Sequence, residues 1–173
     1  ATYASPATAA SSPGTYPIIP SLVDPNGKLG NYTVTSINGT LTVTSSVLTV
    51  TAANASRFYG DPNPVFTGTI VGLNNGDNIT ATYASTADPA SPAGTYAIVP
   101  TLVDPNGKLA NYTVVINNGT LTVNPAPLTV TAADASRAYG AANPAFSGTI
   151  TGIKNGDSIT VTFTSAATAA SNV

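Results

Sequence analysis

The side chains able to do chemistry are few, and most stand in pairs 80 positions apart. Arg57 and Arg137 are the two arginines, each opening an Arg-x-Tyr-Gly stretch that runs on to Asn-Pro. A guanidinium there can grip an anion or tie a loop to backbone carbonyls. The second use is the expected one. It makes Arg57, Tyr59, Gly60, Asn63 and Pro64, with Arg137, Tyr139, Gly140, Asn143 and Pro144, a structural connector. Asp24 and Asp104 sit in Asp-Pro-Asn-Gly turns, and Asp77 and Asp157 follow Asn-Gly. Such carboxylates cap their own turns. Carboxylates joined by backbone carbonyls are also the donors Ca²⁺ takes, so Asp77 and Asp104 are the candidate calcium ligands, although no metal is expected. Lys28 and Lys108 follow the same turns. An isopeptide bond to Asn needs a buried acid beside a buried lysine, and these two read as solvated.

What is missing narrows the chemistry further. The chain has no Glu, Gln, His, Cys, Met or Trp. Imidazole catalysis, thiol nucleophiles, disulfides and His or Cys metal sites are therefore excluded. No general base, nucleophile and oxyanion site come together, so the chain is not expected to be an enzyme or to hold a cofactor. Five cations and a net charge of -2 do not make a nucleic-acid footprint. No apolar run reaches the roughly 20 residues of a membrane span. Six sites read Asn-X-Ser/Thr, at Asn31, Asn38, Asn54, Asn78, Asn111 and Asn118, and are candidates for glycosylation. Of the eight tyrosines, Tyr59 and Tyr139 are the candidates for a carbohydrate platform, and Tyr83 and Tyr96 fall on the apolar phase of their strands.

The elements that must position these residues are strands. Leu48-Thr49-Val50-Thr51, Leu121-Thr122-Val123 and Ile79-Thr80-Ala81-Thr82-Tyr83 alternate with period two, and Thr suits the wet face. With 42% hydrophobic residues the chain lies outside the disorder signature of low hydrophobicity and high charge. Asn117-Asn118-Gly119 predicts a hairpin between strands at 112–116 and 120–123, and residues 54–64 read as an irregular connector.

Self-comparison gives the organisation. Sliding the chain by 80 residues, without gaps, yields about 59 identities in 93 positions. Asn124-Pro125-Ala126-Pro127 reads as a stiff linker. The chain then divides into the back part of a repeat at 1–47, a complete repeat at 48–127 and the front part of the next at 128–173. It is expected to be a mature or excised window on a longer array. Turn signals every 8–12 residues or so point to small all-β sandwiches.

The stretch Arg57-Phe58-Tyr59-Gly60-Asp61-Pro62-Asn63-Pro64, with Gly72-Leu73-Asn74-Asn75-Gly76-Asp77, Gly94-Thr95-Tyr96 and Asn118-Gly119-Thr120-Leu121-Thr122-Val123, resembles the MBG-type repeat of bacterial surface proteins. The second copy departs from it, since Asp61-Pro62 become Ala141-Ala142. The resemblance implies a tandem β module of extracellular, adhesin-like chains, an immunoglobulin-like sandwich or alternatively a β-grasp-like module. The expected function is a structural spacer or stalk that assembles into a fibre through strand edges, its partners being neighbouring repeats or identical chains. The alternative is an adhesin module that binds a glycan or host protein through its loops. Loss of the Asp-Pro pair in the second copy favours the spacer, because a binding loop keeps its reactive side chains.

Overall fold

Alternation of Thr with Leu, Val and Ile favours extended backbone, with one side-chain set facing a core and the other facing water. The computed structural model, which describes residues 1–171, follows that pattern. In chain order the strands are β1 (Thr2–Ala4), β2 (Gly14–Ser21), β3 (Gly39–Val43), β4 (Ser46–Ala52), β5 (Ala55–Phe58) and β6 (Gly68–Val71). They continue as β7 (Thr80–Ala84), β8 (Gly94–Val103), β9 (Tyr112–Asn117), β10 (Gly119–Asn124), β11 (Thr129–Ala132) and β12 (Gly148–Thr151). Single 3₁₀ turns at Leu29–Asn31 and Leu109–Asn111 supply the helical structure among the described residues. The protein is all-β.

The strands gather into two compact units. The first takes residues Ala1–Ala53, Phe66–Ala84 and Ile98–Gly119. The second takes Asn54–Val65, Ser85–Ala97 and the chain from Thr120 onward.

In the first unit β1, β2 and β3 form an antiparallel sheet, with Tyr3 opposite Pro20 and Tyr16 opposite Leu41. A second sheet has the order β6-β4-β9. There β4 runs antiparallel to β6, with Val50 opposite Ile70, and parallel to β9, with Leu48 opposite Val114. β7 pairs antiparallel with the far half of β8, placing Tyr83 opposite Pro100. Leu48, Ile79 and Tyr112 form the buried core, and Ile70, Leu102 and Leu109 pack on it. Complete burial of Leu48 alone is worth about 2 kcal/mol. Gly68 lies under the Tyr83 ring and against the Thr51 carbonyl, where a methyl group has no room.

In the second unit β5 runs parallel to β10, with Leu121 opposite Ala55, and β11 pairs antiparallel with β12. Ala87, Leu121, Val123 and the Arg57 side chain are buried there.

Two expectations need correction. Asn118-Gly119 does not close a hairpin, because β9 takes β4 as its partner and β10 takes β5. A single residue, Asn118, separates the two strands, too short for a two-residue hairpin loop, and the chain there passes from one ladder to another. The connector after β4 is also not wholly irregular, since four of its residues, Ala55–Phe58, form β5.

Equivalent residues of the partial repeats differ in environment. Leu48 is fully buried, but its counterpart Leu128 is 44% exposed. Tyr32-Thr33-Val34 has the same sequence as Tyr112-Thr113-Val114, yet only the latter lies in a strand. The ladder to β4 is what makes 112–117 a strand, and residues 32–37 have no such neighbour among the described residues.

Candidate functional site

The connector is organised by one buried cation. β5 carries Arg57, whose side chain turns inward and is 7% exposed. Its Nε donates to Asn63 Oδ1 at 2.7 Å, Nη1 to the Phe58 carbonyl at 3.1 Å, and Nη2 to the Asp88 carbonyl. Asn63 in turn donates Nδ2 to the Ala87 carbonyl at 2.6 Å. Arg57 and Asn63 thus fasten the connector to the loop between β7 and β8. The Tyr-Gly turn of the connector is pinned by backbone bonds, Tyr59 N–H to the Asn124 carbonyl at 2.8 Å and Gly60 N–H to the Pro89 carbonyl at 3.1 Å. Gly60 sits at φ 84°, a left-handed conformation other residues rarely adopt.

The same clamp recurs 80 residues later. Arg137 Nε donates to Asn143 Oδ1 at 2.8 Å, Nη1 to the Ala138 carbonyl at 3.2 Å, and Nη2 to the Thr168 carbonyl. Asn143 Nδ2 reaches the Ala167 carbonyl at 2.6 Å, and Gly140 repeats the left-handed turn at φ 79°. Tyr139 is exposed, and with Arg137, Asn143, Pro144 and Phe146 it borders an open cleft. Pro64 is exposed beside its Asn.

A second polar group surrounds Tyr112. Its hydroxyl donates to Asp77 Oδ2 at 2.7 Å and accepts from Asn74 N–H at 2.9 Å. The bond to Asp77, then burial, push the phenol above its ordinary value of 10.0. In the next repeat Asp157 instead accepts from Tyr59 at 3.2 Å, and Lys154 pairs with Asp61 at 3.0 Å.

Asp104 Oδ2 accepts the Leu109 N–H at 2.8 Å and Asp24 Oδ2 the Leu29 N–H at 2.5 Å, so both carboxylates cap their turns. Asp104 is held below the ordinary carboxylate value by the Leu109 N–H first and then that of Lys108. Asp24 is lowered by the Lys28 N–H first and then that of Leu29. Asp104 Oδ1 is buried without a partner. Among the described residues no three acidic side chains come together, and Asp77 and Asp104 serve different bonds. Asn31, Asn38, Asn54, Asn78 and Asn118 are exposed and Asn111 is half-buried. Asn54 Oδ1 accepts the Thr120 N–H at 2.8 Å.

A Tyr-Gly turn braced by Arg and Asn thus occurs twice in the chain, at residues 59–60 and 139–140. The family model of the MBG domain, YGX type, matches residues 48–122 and 128–173. The chain belongs to the MBG domain family. No curated protein and no solved structure matches it. Tyr59-Gly60 and Tyr139-Gly140 are the Tyr-Gly pairs of its two MBG matches. In this MBG chain the Arg and Asn of each connector bond to each other and to backbone carbonyls of the loop they brace. Sequence reasoning missed Asn74, Lys154 and Asn124, whose roles depend on neighbours far along the chain. The Asn-Gly spellings before Asp77 and Asp157 marked turns without saying what they touch.

Proposed function

We propose that the chain is a spacer repeat of a long extracellular bacterial surface protein, and that strand edges join its repeats into a fibre. The observation that carries this is the gapless 80-residue offset, which gives the strands of the complete repeat counterparts in the residues before and after it. Residues 128–173 contain β11 and β12, counterparts of β4 and β6, whereas residues 1–47 contain counterparts of β7, β8 and β10. Leu128 and Val130 on one side, and Val34, Ile37 and Leu41 on the other, are exposed apolar residues. The register of β4 with β9, moved by 80, sets Leu128 opposite Val34 and Thr129 opposite Thr35. β5 with β10 likewise sets Ala135 opposite Leu41. A parallel ladder formed there would remake the mixed sheet of the complete repeat and cover its apolar face. The second partner is another repeat, of the same polypeptide where it continues or of another chain. Low charge offers little resistance to such packing.

Sedimentation equilibrium and electron microscopy of the 173-residue chain test this. Mass should rise with concentration and threads should form, and Leu128→Asp should suppress both. A chain that stays monomeric and binds a glycan array through its loops would replace the fibre with an adhesin module.

A further inference from the structure

The linker is not the sole connection between repeats. The turn after β6 carries Asn75 at φ 56°, and its counterpart after β12 carries Asn155 at φ 52°. Left-handed backbone is uncommon outside glycine, and Asn is among the residues that tolerate it. Both asparagines use their side chains in the same way. Asn75 Nδ2 donates to the Ala9 carbonyl at 3.1 Å, and Asn155 Nδ2 to the Pro89 carbonyl at 3.0 Å. Residues 9 and 89 occupy equivalent positions in the loop before β2 and before β8, each in the repeat that precedes the asparagine. The same bond therefore crosses both repeat boundaries.

At the second boundary other contacts join it. Pro89 O also accepts Gly60 N–H at 3.1 Å, so one carbonyl gathers the connector of its own repeat and the turn of the next. Tyr59 donates to Asp157, and Lys154 pairs with Asp61. A side chain at Gly60 would have its Cβ 2.5 Å from Lys154 Cβ, so the lysine stem lies directly on the Tyr-Gly turn. Tyr59, Pro92, Leu128, Ile153 and Ile159 border an apolar cleft at the same place.

We infer that the Asn-Gly turn of each repeat docks on the connector and loop of the repeat before it. A side-chain joint, with the following repeat as its occupant, then holds successive repeats in one orientation. The asparagine bond is common to every joint. The Lys154–Asp61 pair is particular to one, because Asn74 replaces Lys in the earlier turn and Ala141 replaces Asp in the later connector. Both of its side chains are more than a third exposed, so it selects a neighbour more than it adds strength. This joint does not depend on whether chains associate into fibres.

The absence of cysteine makes the test direct. Spin labels at Thr95→Cys and Thr149→Cys, both exposed and on successive repeats, report the distance across the joint by pulsed dipolar spectroscopy. Dilution into unlabelled chain removes intermolecular signal. The starting chain should give one narrow distance. Asn155→Gly keeps the left-handed turn and removes the donor, and with Lys154→Asp it should widen the distribution at least twofold at unchanged circular dichroism. Adding Asp61→Lys to Lys154→Asp should narrow it again. A broad distribution in the starting chain, or a width untouched by Asn155→Gly with Lys154→Asp, would overturn the joint.

Discussion

Asn63 Oδ1 accepts the Arg57 Nε proton at 2.7 Å, and Asn143 Oδ1 accepts that of Arg137 at 2.8 Å. The bonds match, but the settings do not, since Arg57 is buried and Arg137 is only half-buried. Removing a partner from a buried charged network leaves carbonyls unsatisfied, whereas water replaces a lost partner at the surface. Arg57→Ala should lower stability by about 3 kcal/mol and Arg137→Ala by less than about 1 kcal/mol. Urea unfolding of the two variants checks this, and equal losses would mean that burial does not set the strength of the clamp.

Tyr112→Phe should cost about 1–2 kcal/mol, because Asp77 and the Asn74 N–H lose their hydroxyl partner. The raised phenol of the folded state holds its proton longer than the unfolded chain does. Its contribution is therefore complete below the ordinary value of 10.0 and falls away as pH climbs through the folded value. Urea midpoints should drop on the alkaline side in the starting chain, and Tyr112→Phe should lose part of that dependence.

Asp24 and Asp104 act in the opposite direction. Both are lowered from 3.8, so the folded chain binds their protons less readily than the unfolded one. Stability from these caps is present above 3.8 and is lost as pH falls through the folded values. Replacing both by Asn should flatten the acid limb of a plot of urea midpoint against pH. An unchanged limb would place the acid dependence elsewhere.

Gly60→Ala and Gly140→Ala separate backbone strain from contact. Both glycines have positive φ, at 84° and 79°, so each substitution should cost about 1–2 kcal/mol of strain. Gly140 has open space around it, but Gly60 faces the Lys154 stem. Gly60→Ala should therefore lose about 1 kcal/mol more. Thermal unfolding of the pair measures the difference, and equal losses would deny the contact.

The strands and the repeat were legible because period two and an 80-residue offset are local and arithmetic properties of the sequence. Arg57 and Asn63 were legible as a group because they lie close together in the chain. Pairing was not. Tyr32-Thr33-Val34 and Tyr112-Thr113-Val114 are the same letters, and only the neighbour supplied by β4 makes one of them a strand. The Asn118-Gly119 signal misled for a related reason: a turn-forming dipeptide says nothing about a competing parallel ladder. Asn155 and Pro89 are 66 residues apart in sequence, and nothing in either segment alone marks the bond.

The acceptor that Asn75 and Asn155 seek is a main-chain carbonyl, supplied by alanine in one place and proline in the other. Every amino acid carries that group, so point mutation cannot delete it. Unequal crossing-over between repeats that align without gaps would insert or remove one whole period, and the new neighbours would meet the same donor and the same acceptor. Length thus becomes a heritable variable that changes in fixed steps without refitting the parts.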